Sequence, residues 1–385
     1  MTRNTPNSFS PRYLESPIRE DLGRKMVFIG GPRQVGKTTL ALNLLGESEE
    51  SKSYLNWDDI ADREKILKRE IRSDSSLIIF DEIHKFADWR GLLKGLYDTR
   101  KSKQSFLVTG SARLDYYRKG GDSLQGRYHY YRLHPISLGE SISSKLGLTA
   151  GDLIQFGGFP EPLSLQDERS ARRWRRERRE RVLREDLRDL ENVREVSKLE
   201  LLVTHLPECV GSPLSIDALR KLLQVSHESV ARWITIFENL YLCFRISPYG
   251  SKKIRAVKKE QKLYFWDWAA ISSSGSRFEN LVACQLLKFC HFREDTEGHD
   301  MELRFLRDTD GREVDFVVLQ DGEPLFAVEC KTGEARRSSS ISYFLERTPI
   351  PKWYQVHLGN KDYGEPSTEG RVLPFAQFCK ELNMP

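Results

Sequence analysis

The segment Gly31-Pro32-Arg33-Gln34-Val35-Gly36-Lys37-Thr38 constrains this chain more than any other stretch. It fits the pattern G-x-x-x-x-G-K-[ST], and it lies between an apolar run, Met26 to Gly30, and the helix-patterned TLALNLL. That context predicts a strand, a glycine-rich turn and a helix, the opening of a parallel α/β sheet. Gly31 and Gly36 allow the backbone N–H groups of the loop, including those of Arg33, Gln34 and Val35, to curl around a phosphate. The helix N-terminus, with Thr39 in its first turn, adds its positive dipole end. Lys37 is placed to reach the β- and γ-phosphates, and the Thr38 hydroxyl to hold Mg²⁺.

Further strands are expected at Tyr54 to Trp57, Leu77 to Phe80 and Phe106 to Thr109, separated by helix-length sequence, so a doubly wound sheet is predicted. Leu77-Ile78-Ile79-Phe80 ends in Asp81-Glu82. Asp81 suits a metal held through water, and Glu82, one step on, suits a general base that polarises the attacking water. The pair downstream of the phosphate loop implies hydrolysis of ATP with Mg²⁺. Thr109 and Ser111 are placed either to sense the γ-phosphate or to cap the following turn. Arg127, in LQGRYHYYR, is the expected arginine finger, in competition with Arg113 and Arg118 and with an ordinary surface ion pair.

Net charge is +5 and mean hydropathy −0.54, with no apolar run near the ~18 residues of a membrane span. The N-terminal sequence lacks an apolar h-region, so a cytoplasmic protein is expected. Six scattered cysteines without CxxC spacing argue against a zinc site or a disulfide framework. From Arg169 to Arg194 eleven arginines stand against six acids, on a stretch where Leu183, Leu187 and Leu190 recur at helical spacing. A long basic helix is expected there, either solvated, between subunits or on DNA. SIDALRKLLQV, SHESVARWITIFENL and YLCFRI then read helix, turn, helix, strand, the order of a winged helix. The basic segment that follows carries Lys252, Lys253, Arg255, Lys258, Lys259 and Lys262 and suits sequence-independent contact with DNA phosphates, with His227 and Arg232 as further contacts. Protein docking is the alternative use of such a module.

The C-terminal third reads as a separate α/β domain. Glu329 and Lys331, two apart on one strand, project to the same side, where Asp315 on the paired strand can join them. Asp315 and Glu329 would bind Mg²⁺ or Mn²⁺, Lys331 would act on the attacking water, and Glu279 on the preceding helix would complete the shell. That is the chemistry of phosphodiester cleavage. A strand-end ion pair between Glu329 and Lys331 would need no metal.

Through GPRQVGKTT, IIFDEIHK, LVTGSARL, LQGRYHYYRLHPISLGE, FGGFPEP, REDL, KLYFWDWA, RFENLVA, EVDFVV and AVECK the chain resembles prokaryotic AAA-type (AAA+) ATPases that carry a C-terminal PD-(D/E)xK nuclease-like domain of unassigned function. The resemblance implies a P-loop AAA+ ATPase domain with lid over 1–165, an Arg-rich linker helix over 166–196, a winged helix over 197–262 and a nuclease-like α/β domain over 263–385. The leading expectation is an ATP-driven DNA-processing motor, with a homo-oligomer or ring if Arg127 acts across a subunit boundary. The alternatives are a regulatory nucleotide switch with a non-cleaving C-terminal domain, and a DNA-binding regulator without significant turnover.

Overall fold

A computed structural model describes residues 9, 11–110, 124–183, 196–250 and 260–385. The chain divides into two compact units, 1–135 and 136–385. The punctuation that suggested a boundary near residue 165 is real as a turn, with Gly157 at φ +83° ending one short helix and Pro160 opening the next. It lies inside the second unit.

In the first unit, helix α1 (Glu15–Leu22) precedes strand β1 (Met26–Gly30). Then come α2 (Lys37–Leu45), β2 (Tyr54–Asn56), α3 (Ile60–Lys68), β3 (Leu77–Asp81), α4 (Trp89–Arg100), β4 (Ser105–Thr109) and β5 (Tyr128–Arg132). The five strands pair in parallel in the order β2-β3-β4-β1-β5. β1 and β3 are buried along their whole length, which is why MVFIG and LIIFD read as unbroken apolar runs closed by a site residue or turn. Met26, Phe28, Ile78, Phe80, Phe106 and Val108 pack with Trp89 and Leu93 of α4 into one core. This layer brings the C-terminal ends of β1, β3 and β4 side by side, where ligands of open parallel sheets bind.

The second unit begins with α5 (Leu138–Ser143), α6 (Ala150–Phe156), α7 (Pro160–Leu165) and α8 (Glu168–Arg181). α9 (Val196–His205), α10 (Ile216–Leu223) and α11 (His227–Asn239) follow, then β6 (Cys243–Pro248) and β7 (Lys262–Phe265), an antiparallel pair. The 24-residue helix α12 (Ser274–Glu297) leads into β8 (Met301–Arg307), β9 (Glu313–Gln320) and β10 (Glu323–Lys331). α13 (Ser339–Leu345), β11 (Trp353–His357), β12 (Arg371–Pro374) and α14 (Phe375–Glu381) complete the unit. Seven strands form one mixed sheet, β12-β11-β10-β9-β8-β6-β7. The β6/β7 pair is therefore continuous with the C-terminal sheet through β6 and β8, where the sequence suggested two separate domains. The β9–β10 hairpin turns at Asp321 and Gly322, both at positive φ (+53° and +85°), the backbone shape that an Asp-Gly pair favours. That turn, together with a one-residue register shift between Pro324 and Phe326, brings Asp315 opposite Glu329.

Candidate ATP site and a buried charge cluster

At the end of β1 the loop 31–36 wraps the start of α2. A Cβ at Gly31, whose φ is +130°, would sit 2.4 Å from the carbonyl oxygen of Leu133, so only glycine fits. Lys37 is buried, and its Nζ donates to the carbonyls of Gly31 (3.0 Å) and Pro32 (2.7 Å). Arg12, also buried, donates to the carbonyls of Val35 (2.9 Å) and His134 (2.7 Å), tying the loop to the segment that follows β5. Asp81 forms the centre of the site. Its Oδ2 accepts from Thr38 Oγ1 and from Tyr54 OH, both at 2.8 Å, and its Oδ1 accepts from Thr109 Oγ1 at 2.5 Å. Thr109 thus fixes the carboxylate and does not cap a turn; Ser111, Arg113 and Arg118 lie outside the described residues.

Glu82 follows with φ +56°, a left-handed backbone that a non-glycine residue adopts at a cost and that turns its side chain off the line of the strand. Its Oε2 has no hydrogen-bond partner among the described residues and lies 3.4 Å from Lys85 Nζ and 3.6 Å from His84 Nε2. Burial pushes the Glu82 carboxyl up, while Lys85, Lys37 and Arg33 pull it down. A basic carboxylate beside a hydroxyl-and-carboxylate pair is the equipment for activating water next to a hard cation. The all-oxygen donor set of Thr38 and Asp81 fits Mg²⁺ delivered with a nucleotide. Gln34, Gly36 and Thr39 all fall in the same loop and first helical turn.

Arg127 does not reach this site within its own chain. Its carbonyl accepts from Met26 N at the start of β1, the far end of the strand from the phosphate loop, about 13 Å away over a five-residue strand. Its guanidinium pairs with Asp98 at 2.9 and 3.2 Å, the surface ion pair weighed above.

The second unit brings Glu279, Asp315, Glu329 and Lys331 together, and adds Lys262, Glu313, Tyr264 and Arg307. Lys262 was expected in the basic DNA-contacting segment. It is instead fully buried on β7. Its Nζ lies 3.1 Å from Glu279 Oε1 and 3.6 Å from Asp315 Oδ1 and also pairs with Glu313. Burial alone would lower its pKa, but the carboxylates of Asp315, Glu279 and Glu313 override this and raise it. Tyr264 OH donates to Glu279 (2.8 Å), the amide of Cys330 to Asp315 (2.8 Å), Arg307 to Glu313 (2.9 Å) and Lys331 to Glu329 (2.7 Å). Three cations therefore stand among four carboxylates. Burial, then repulsion from Glu279 and Glu329, pushes Asp315 up. Among the described residues no group of three or more His, Cys, Asp or Glu side chains has the geometry to hold a metal ion. The residues present do not fit the Mg²⁺ or Mn²⁺ that a nuclease would require, because an ammonium already occupies the middle of the acids.

Lys252, Lys253, Arg255, Lys258 and Lys259 lie outside the described residues, as do Leu187 and Leu190. None of the six cysteines is in a disulfide. No helix among the described residues is long and apolar enough to cross a membrane.

Residues 23–142 match a family model described as "AAA domain". That match, with the strand, glycine-rich loop and helix around Lys37, supports a P-loop ATPase fold for this part of the chain. Beyond it, residues 149–274 match "Domain of unknown function (DUF8612)" and residues 274–378 "Domain of unknown function (DUF4143)". Two curated relatives, "Uncharacterized protein Mb2031c" of Mycobacterium bovis and "Uncharacterized protein Rv2008c" of Mycobacterium tuberculosis, are each 24% identical over 260 residues, 66% of this chain. The match spans 57% of each relative's length. Among solved structures, the Orc1 protein of Aeropyrum pernix in complex with DNA aligns at 15% identity and a TM-score of 0.32, over 71% of this chain and 92% of that one.

Within the first unit, Tyr54 and Arg12 were invisible to motif reading, since neither belongs to a phosphate-binding pattern. The only available signal for Tyr54 was its place on a strand expected beside β3. Lys262 was misplaced because a lysine next to a basic run reads as one more surface charge.

Proposed function

We propose that this chain hydrolyses ATP to drive the processing of DNA, and that its C-terminal sheet keeps a nuclease-like arrangement without cleaving. The observation that carries the hydrolytic part is the lattice around Asp81. Three hydroxyls, from Thr38, Tyr54 and Thr109, hold one carboxylate beside the phosphate loop, and Glu82 follows it with a carboxyl raised by burial. Mg²⁺ entering with the nucleotide would supply Lewis-acid stabilisation of the phosphates, while Thr38 and Asp81 orient it and Glu82 takes a proton from water. Lys37 would leave the loop carbonyls for the phosphates. Arg127, half-buried at the opposite end of β1 from the phosphate loop, would serve the site of a neighbouring copy, which makes the working form an oligomer.

The DNA part rests on α9, α10 and α11 followed by the β6/β7 pair, an order that supports a winged helix, and on the basic segment 251–259 that joins those two strands. Lys252, Lys253, Arg255, Lys258 and Lys259 would neutralise backbone phosphates as its wing. The Lys262 cluster favours a second reading of the C-terminal part, in which a non-cleaving domain docks partners of a nucleotide switch. ATP turnover measured alone and with linear duplex, single-stranded and four-way DNA separates the two. Stimulation by DNA is expected; a rate unmoved by all three would favour the switch, and nucleotide binding without turnover would remove the hydrolytic reading altogether.

A further inference from the structure

The second unit holds a cavity of about 320 Å³, at the small end of the range that takes one organic ligand. One wall is α8, which contributes Arg172, Arg175, Arg176, Arg178 and Arg179; the floor is apolar, with Val203, Leu242 and Phe265; a single acid, Asp267, lies at its base. All of these residues fall within 149–274, the segment that matches a domain of unknown function.

Two features set this wall apart from an ordinary solvated arginine helix. First, polar atoms that line it are buried and lack hydrogen-bond partners among the described residues: Arg175 Nε and Asp267 Oδ1. Asp267 is 5% exposed, and its other oxygen lies 3.6 Å from Arg175 Nε, too long for a hydrogen bond. A buried donor and a buried acceptor left open side by side are costly unless a ligand or water completes them. Second, the outer cations of this wall are loosely held. Arg172 pairs with Glu168 and Arg176 with Glu180, exposed pairs that contribute little and yield easily to a stronger anion. Arg179 has no acidic partner among the described residues. Beneath them, Arg178 is held rigid by stacking over Phe159, 4.2 Å from the ring centre, and over Trp174.

We propose that this cavity binds one nucleoside phosphate: the phosphate on the arginines of α8, the base on the apolar floor, and a hydroxyl or amino donor of the ligand on Asp267. Planar guanidinium groups match phosphate oxygens in paired fashion, and an apolar floor takes a flat base, so charge and shape point to the same class of ligand. The site is distinct from the phosphate loop. The nucleotide can be free or part of a single strand, and both present the same groups to the cavity.

The test uses the full chain carrying Lys37→Ala, which removes binding at the phosphate loop, titrated with AMP in a calorimeter. One AMP per chain is expected. Arg175→Gln and, separately, Arg179→Glu should each weaken it roughly tenfold or more, the loss of one charge-assisted contact. Arg173→Glu, on the same helix outside the cavity, should leave it unchanged. Arg179 is exposed, so its replacement leaves the fold intact even if Arg175→Gln does not. A short single-stranded oligonucleotide that displaces AMP identifies a nucleic-acid strand as the source; AMP retained against it identifies the free nucleotide. Absence of saturable AMP binding, or affinity indifferent to Arg179→Glu, overturns the proposal.

Discussion

Replacing Lys262 by methionine removes the buried ammonium from between Glu279, Glu313 and Asp315 while keeping most of the side-chain volume. The three acids then face one another without their central cation, at the distances that now hold them near Nζ, 3.1 Å for Glu279 and 3.6 Å for Asp315. Breaking a buried ion pair by removing one partner costs about 3–5 kcal/mol. For a unit of this size each kcal/mol lowers the melting temperature by about 2 °C, so the second unit should melt roughly 6–10 °C earlier. The vacated centre, lined by carboxylate oxygens, should then accept Mn²⁺. Saturation at a hundred times the dissociation constant would return about 2.7 kcal/mol, or roughly 5 °C. Differential scanning calorimetry of the wild type and Lys262→Met, each with EDTA and with Mn²⁺, reads all four quantities. The wild type should be indifferent to Mn²⁺ and the variant partly rescued by it. Stabilisation of the wild type by Mn²⁺, abolished by Asp315→Ala, would refute the reasoning and restore the metal-dependent nuclease.

Tyr54→Phe and Thr109→Val each delete one hydrogen bond to the Asp81 carboxylate, worth about 1.5–3 kcal/mol for a charged acceptor; steady-state assays should show ATP turnover falling ten- to a hundredfold with nucleotide affinity nearly unchanged. Arg127→Ala breaks an exposed pair with Asp98, so thermal stability should move by less than about 1 kcal/mol, while turnover is lost and partly recovered on mixing with Lys37→Ala protein. Loss without recovery in mixtures would remove the role across a subunit boundary. Alanine at Lys252, Lys253, Lys258 and Lys259 should weaken binding to unrelated DNA sequences alike and lower the salt slope by about 0.9 per lost phosphate contact in fluorescence titrations. An unchanged slope would assign this module to protein docking.

The geometry of the candidate ATP site is legible where its residues are contiguous. Lys37, Thr38, Asp81 and Glu82 sit in two short stretches whose flanking runs announce a parallel strand, and parallel strands place their C-terminal ends together by construction. Period-two alternation did the same for Glu329 and Lys331, and an Asp-Gly turn pairs their strand with the one that carries Asp315, while the register shift between Pro324 and Phe326 that sets Asp315 opposite Glu329 has no mark in the sequence. What escaped depends on register between segments far apart in the chain. Tyr54 meets Asp81 because β2 pairs with β3 in the register Asn56 to Asp81. Lys262 enters the acid cluster because β7 packs over α12 and β9, although its neighbours in sequence are surface lysines. The punctuation near residue 165 has a related explanation. Gly157 and Pro160 do end and start helices, but a turn between two helices of one core carries the same residues as a linker between domains.

The claim on which the rest depends is that Glu82 activates water for a nucleotide held by Lys37 and positioned by Asp81. Its most direct test is single-turnover hydrolysis of ATP by Glu82→Gln, with ATP binding measured on the same protein. Binding at wild-type affinity with hydrolysis reduced a hundredfold or more is predicted, against loss of binding itself in Lys37→Ala. Hydrolysis by Glu82→Gln at the wild-type rate would contradict the account.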